Sequence, residues 1–314
     1  MGYRMMPWQR KGRKKAMAMR KRMGFREVQE QFCNEEACRE YLFELRWPNG
    51  FICPRCGCKE YYQIVTRKKY QCKNCRYQTS VTAGTVMDRS HLDLRIWIWA
   101  IYLVARDKRG YSAKQLSVEL NLPYNTSWFL LHRIRKAMAQ RDDNYVLTGI
   151  VELDDTYFGK AKKGGKRGRG TVKTKVLVAL SKDEDGNPQF AKMQVVPNLK
   201  GKTIEKFAKV SIAEGSIVQS DAYPSYRKPL AEKYLHEYQV FDADTEMLHW
   251  LHIIIGNAKA FVQGTFHGLG KKHLQSYLDE FCYRFNRRFV HGEVFSRLAC
   301  AVTASTPLRF ADLN

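Results

Sequence analysis

Two groups of residues in this 314-residue chain have the types and spacing to do chemistry. The first is Cys53-Pro-Arg-Cys56 and Cys72-Lys-Asn-Cys75, two C-x2-C pairs with 15 residues between them. Each pair fits a tight knuckle whose amides face the sulfurs, and four thiolates close a tetrahedral Zn2+ site. No ligand position is left for water, so this zinc is structural and stands in for the core that a short segment lacks. Cys58 lies just off the pattern as a spare thiol. The second group is acidic. Asp154 sits within Ile150-Val-Glu-Leu-Asp-Asp-Thr-Tyr-Phe158, and Asp221 ends Ser216-Ile-Val-Gln-Ser-Asp221. A lone buried carboxylate is costly, so each acid should be exposed, paired or holding a cation. If the two strand ends converge they offer hard oxygen ligands to Mg2+, and two such ions suit phosphodiester transfer. Turn or edge acids without a metal would show the same spacing.

These groups need elements to position them. Val28, Phe32, Ala37, Tyr41, Leu42 and Leu45 recur near helical spacing, so short helices are expected over 25–49, stopped by Trp47-Pro-Asn-Gly50. Tyr61 to Tyr70 is β-branched and aromatic enough for strands that join the knuckles, which gives a zinc ribbon over 50–86. Residues 87–144 read as helical: an apolar helix through Ile96 and Leu103, a short one over 112–120, a turn at Asn121-Leu-Pro-Tyr124, then a helix bearing Trp128, Leu131 and Met138. That order is helix-turn-helix-like, with Arg133, Arg135 and Lys136 able to reach a groove or its phosphates. An ordinary helical hairpin with a basic surface fits as well. From 145 to 314 the texture is α/β: strands at 150–158, 176–180, 190–196 and 217–221, a helix at 203–213, then helices at 224–236, 247–263 and 271–288. The loop 159–175 has eight basic residues among glycines, including Lys166, Arg167 and Arg169, and suits close backbone approach to phosphate.

Charge narrows the partner. The formal balance is +23, split as +16 over residues 1–150 (29 basic, 13 acidic) and +7 over 151–314 (25 and 18). An excess of this size favours a polyanion, nucleic acid first. Residues 1–24 form a basic tail with nine Lys or Arg before position 23, either solvated or lying on phosphate. The longest apolar run, Ile96 to Ala105, is shorter than the roughly 20 residues that span a bilayer, and no signal-peptide pattern opens the chain. A cytoplasmic protein without a membrane partner is expected, and nine cysteines there point to metal rather than disulfides.

Several motifs in order carry a resemblance. Val151-Glu-Leu-Asp-Asp-Thr-Tyr-Phe-Gly159, Gly164-Gly-Lys-Arg-Gly-Arg-Gly170, Ser220-Asp-Ala-Tyr-Pro-Ser-Tyr226, Gly264-Thr-Phe-His-Gly268 and Lys272 through Arg288 resemble the DDE-type transposases of bacterial insertion sequences. The branch is the one with an N-terminal zinc ribbon. The resemblance implies an α/β fold of RNase H-like type, a mixed sheet with packing helices over 145–314. It implies Asp154 and Asp221 as the first two ligands of Mg2+ or Mn2+. Asp155 falls on the opposite strand face. Many relatives carry a Glu seven residues before a Lys on a following helix. Lys259 matches that Lys and would contact DNA near the scissile phosphate, but the position seven before it is His252. Another sub-branch has Asn two residues before the Lys, matched by Asn257, so His252 and Asn257 are both candidates for the third position. The implied partners are double-stranded DNA, namely terminal inverted repeats and target, and a second copy of the chain. A nucleoid location when bound to DNA goes with them. Two rivals share these residues: a non-catalytic zinc-ribbon regulator, and a nuclease that does not join strands.

Overall fold

The computed structural model describes residues 23–159, 164, 168–240, 248–267 and 269–313. Nearly all of the expected basic tail, together with Lys166 and Arg167, lies outside these. Helices α1 (Phe25–Gln31), α2 (Glu35–Arg46), α3 (Leu94–Arg106), α4 (Ala113–Glu119) and α5 (Tyr124–Asp142) surround strands β1 (Tyr61–Ile64), β2 (Lys69–Cys72) and β3 (Gln78–Thr79) in sequence. Then come β4 (Ile150–Phe158), β5 (Thr174–Lys182), β6 (Pro188–Val196), α6 (Gly201–Ser211), β7 (Ile217–Asp221), α7 (Pro224–Ala231), β8 (Leu235–Gln239), α8 (His249–Phe266), α9 (Leu274–Phe285) and α10 (Val294–Ala304). The chain divides into two compact units, one of residues up to 107 with 113–138 and 290–314, the other of 108–112 with 139–289. No helix among the described residues is long and apolar enough to cross a membrane.

In the first unit, the Asn34 side chain caps α2 by accepting from Ala37 N–H at 2.9 Å. Arg46 at its end donates to the carbonyls of Ser80, Val81 and Ala83 at 2.8, 2.8 and 2.6 Å, tying the helix to the chain that leaves β3. The three antiparallel strands are too short for an aliphatic core. Rings fill the space instead: Phe43 lies 4.9 Å from Tyr70, Trp47 5.1 Å from Phe51, and Phe51 4.8 Å from Tyr61. Helix α10 belongs here too. Phe295 stacks on Tyr41 at 6.1 Å and meets Tyr102 edge-on at 5.9 Å. This corrects the sequence boundaries: 25–49, 50–86 and most of 87–144 form one unit, and residues 290–314 join it rather than the α/β region. Apolar spacing announces a helix at 294–304 but says nothing of which core it enters.

The second unit is built on a five-stranded sheet of order β6-β5-β4-β7-β8. Strands β4, β5 and β6 form an antiparallel meander, while β7 and β8 run parallel to β4 and its neighbour, which is the RNase H-like arrangement. Alternation on β4 sends Val151 and Leu153 to one face, packed with Ile204, Phe207 and Tyr226 of α6 and α7. Phe158, with Val176 and Val178 of β5, goes to the other, under Leu251, Ile255 and Leu278 of α8 and α9. The helix expected over 224–236 ends at Ala231, and strand β8 follows it unannounced. Its residues Leu-His-Glu-Tyr-Gln are almost all exposed at the sheet edge, so no alternation marks them. The opposite edge is closed by side chains of α9 and just beyond it. Asn286 accepts from Ala191 N–H at 2.8 Å and donates to Ala191 O at 3.1 Å; Gln275 accepts from Val195 N–H at 2.7 Å and donates to Met193 O at 2.9 Å. Met193 N–H points at Cys282. Positions 275, 282 and 286 share one helix face, so a single helix pairs the edge as another strand would.

Candidate functional site

The two knuckles are built alike. Cys53 N–H donates to Cys58 O and Cys53 O accepts from Gly57 N–H, both at 2.9 Å; Cys72 repeats this with Tyr77 O at 2.9 Å and Arg76 N–H at 3.1 Å. Gly57 and Arg76 occupy the same left-handed position, with φ of +73° and +58°. Backbone N–H groups of Cys58 and Tyr77 face the sulfurs of Cys56 and Cys75. The four thiol sulfurs lie within 4.8 Å of one another, with Cys53 to Cys75 at 3.6 Å and Cys56 to Cys72 at 3.5 Å. Sulfurs each about 2.3 Å from a central zinc are spaced at close to this distance, so the donor set fits the ion. Cys58 stays outside the set, its sulfur 3.5 Å from Glu60 N.

The acids converge in the second unit. Strands β4 and β7 pair in parallel with Leu153 opposite Ser220, so Asp154 and Asp221 follow as the next pair on one face. Burial pushes the Asp154 carboxyl up from its ordinary value, and the negative charges of Asp155 and Asp221 push in the same direction. Like charges gathered where β7 ends beside the middle of β4, with an imidazole beside them, form a donor set that fits a hard divalent cation. That imidazole is His252 of α8, whose Nε2 is 3.5 Å from Asp154 Oδ2. The Asp154 contact raises His252 above the usual histidine value. Lys259 is two turns along the same face. Burial lowers its ammonium, as does nearby Lys173, against the pull of Asp154. Asn257 is about 200° around the helix from Lys259 at 3.6 residues per turn. That rotation turns it away from the helix face on which His252 approaches Asp154.

The expectation of DNA-facing cations on α5 is corrected here. Arg133 and Arg135 are 8% and 2% exposed. Arg133 donates to Asp88 O at 3.1 Å and lies over the Phe129 ring, while Lys136 donates to Pro307 O at 2.7 Å. Helix α5 is buried on most sides and has no wide polar face to offer a groove. Arg169 is likewise engaged within the protein. Its guanidinium donates to Asp155 Oδ1 at 2.9 Å and Asp221 Oδ2 at 2.7 Å and stacks 3.7 Å over the Tyr223 ring.

One residue beside the acids escaped the sequence reading. Glu152, 3% exposed, lies two positions before Asp154 on the same face. Its Oε1 accepts from Lys182 Nζ and its Oε2 from the backbone N–H of Leu251, both at 2.9 Å. Lys182 also donates to Gln219 Oε1 at 2.9 Å. The first turn of α8, with His252 in it, is thereby fastened to the strand that carries Asp154. The available signal was a pair of opposite charges, Glu152 and Lys182, inside two apolar strands.

Residues 146–286 match the ISXO2-like transposase domain, and residues 33–78 the transposase zinc-ribbon domain. A protein of Halobacterium salinarum described as an uncharacterized protein in transposable element ISH50 is 30% identical over 139 residues, 43% of this chain and 46% of that protein. The match thus spans less than half the length of that relative. Among solved structures, the Mos1 strand transfer complex is 12% identical with a TM-score of 0.29, covering 68% of this chain and 79% of that one. The pre-cleavage Mos1 transpososome is 13% identical with a TM-score of 0.26, covering 64% and 76%. At these TM-scores neither bears on the placement of any residue.

Proposed function

We propose that this chain, whose residues 146–286 match the ISXO2-like transposase domain and whose residues 33–78 match the transposase zinc-ribbon domain, mobilises a bacterial insertion sequence. In this reading it binds the terminal inverted repeats, hydrolyses the phosphodiester at each end, and joins the freed 3′-hydroxyl to target DNA. The observation that carries it is the convergence of Asp154, midway along β4, with Asp221, at the end of the adjacent β7, with His252 and Lys259 on the helix above.

Asp154 and Asp221 hold the cation, and His252 serves as third ligand; its 3.5 Å approach to Asp154 favours it over Asn257. When bound there, Mg2+ or Mn2+ supplies activation of the attacking oxygen and stabilisation of the leaving one. Lys259, held beside the acids on a rigid helix, neutralises the phosphodiester and orients it for in-line attack. Glu152 keeps that helix in register with Asp154. No side-chain nucleophile is required, because water serves in cleavage and the 3′-hydroxyl in joining. The protein works as a homodimer, since two ends must be cut together, and acts in the cytoplasm on nucleoid DNA. Its basic loop lies on phosphate, and the ribbon unit contributes to end recognition.

The test is a labelled element-end duplex incubated with the full chain, Mg2+ or Mn2+, and target DNA. Joined product is expected, and Asp154→Ala should abolish it. Cleavage without joining would establish the nuclease instead. Binding without either reaction, unchanged by Asp154→Ala, would establish the regulator, a reading the histidine in place of a third carboxylate keeps in view.

A further inference from the structure

Arg169 lies in a glycine-rich basic loop, where DNA phosphate is its expected partner, yet two of its three guanidinium nitrogens are engaged at the acids. It bridges two strands: Nε and one terminal nitrogen reach Asp155 Oδ1 at 3.1 and 2.9 Å, and that same terminal nitrogen reaches Asp221 Oδ2 at 2.7 Å. Tyr223 forms a ring floor 3.7 Å below it, and Tyr223 N–H donates to the other Asp221 oxygen at 3.2 Å. Asp155, with its side chain 3% exposed, also faces the Tyr226 hydroxyl at 3.4 Å and lies on the strand face away from Asp154. A buried carboxylate that cannot join the Asp154 face, yet anchors an arginine onto Asp221, has a function of its own.

We propose that Arg169 is a positioning residue that occupies Asp221 in the DNA-free chain and releases it when a DNA phosphodiester takes the guanidinium. The inference rests on the reading of Asp154 and Asp221 as cation ligands. Both partners are chemically apt. Each carboxylate gives the guanidinium a single oxygen, whereas one phosphate offers two acceptor oxygens to the same fork, and the guanidinium keeps its charge throughout. While Arg169 holds Asp221, the apparent cation affinity is reduced by the fraction of molecules in which that oxygen is free. Cation and DNA therefore bind cooperatively, each raising the affinity of the other by the same factor. Asp155 keeps the arginine at the site instead of in solvent.

The test is Mn2+ binding to the zinc-loaded full chain, read from the paramagnetic resonance of free Mn2+, with and without a 30-bp duplex of about random sequence at low salt. Arg169→Ala, and Arg169→Gln in parallel, should bind Mn2+ about tenfold more tightly than wild type without DNA. Lys173→Ala loses the same unit charge without touching Asp221 and should change affinity less than about threefold. DNA should tighten Mn2+ binding to wild type and leave the Arg169 variants nearly unmoved. Melting curves matched to wild type establish that the variants are folded. The inference is overturned if folded Arg169 variants bind Mn2+ no more tightly than wild type, if Lys173→Ala gains as much, or if DNA assists all chains equally. If Asp154→Ala binds Mn2+ like wild type, the cation-ligand reading is itself wrong and this inference falls with it. If Asp154→Ala loses Mn2+ while the Arg169 variants gain nothing, the inference alone falls.

Discussion

Replacing Glu152 by alanine removes two contacts at once, and the structure sets the size of the loss. Lys182 Nζ loses its carboxylate at 2.9 Å, and Leu251 N–H loses its acceptor at 2.9 Å in a buried position. Breaking a buried ion pair from one side costs about 3–5 kcal/mol. Lys182 keeps Gln219 at 2.9 Å and is 16% exposed, so the lower end applies to it. The orphaned amide adds about 1 kcal/mol or more. A total of about 4 kcal/mol, at about 2–4 °C per kcal/mol for a unit of this size, lowers its melting temperature by about 8–16 °C. Scanning calorimetry of the full chain should resolve this transition, because the zinc ribbon belongs to the other unit. Glu152→Gln retains an acceptor for Leu251 and should lose roughly half as much. Lys182→Met in the Glu152→Ala background should restore about 1–3 kcal/mol, the coupling of a contacting pair. A shift below about 3 °C, or strict additivity of the two substitutions, would refute the account of Glu152 as the fastening of α8.

Removing zinc with a chelator, or Cys72→Ser, should abolish the ordered ring environment of Trp47 and Phe51, read by near-ultraviolet circular dichroism, because about 10 kcal/mol of folding free energy enters with such an ion. His252 must be neutral to ligate, and Asp154 holds its imidazole above the ordinary 6.5, so cation binding displaces a proton. Mn2+ affinity should therefore climb as pH rises above 6.5 and level off beyond the raised value, whereas His252→Asn should flatten the profile. The sign reverses for the cation-free protein: the protonated pair stabilises the fold below 6.5 and is lost as pH rises through the raised value, which pH-dependent melting measures. Asn286→Ala uncovers both Ala191 backbone groups and should cost about 1–3 kcal/mol in denaturant unfolding, with increased self-association in light scattering as the edge of β6 opens.

What could be read from the residues alone followed from how local each signal is. The ribbon was legible because C-x2-C spacing encodes the knuckle in four consecutive residues. Asp154 and Asp221 stood out because a carboxylate within an apolar strand, or ending one, demands a reason. The choice between His252 and Asn257 was not legible. It depends on the rotation of α8 over the sheet, which a tertiary contact from Glu152 to Leu251 fixes. Arg133 and Arg135 misled because arginines on a helix suggest a surface, while α5 is enclosed by its own unit. Strand β8 was missed because an exposed edge strand of polar residues carries no alternation.

The return of α10 to the first unit bears on how the protein is made. Its packing of Phe295 against Tyr41 and Tyr102 joins residues nearly 200 to 250 positions apart. During synthesis at about 5–20 residues per second, the N-terminal unit waits about 8–30 seconds for its last helix, while residues 139–289 emerge as a block. The sheet unit can close on the ribosome before its host is finished. The first unit then stays incomplete until residues 290–314 emerge, and a nascent chain interrupted within the sheet leaves the apolar ring cluster around Tyr41 uncovered. Premature termination thus yields a product marked for quality control rather than a free-standing N-terminal unit.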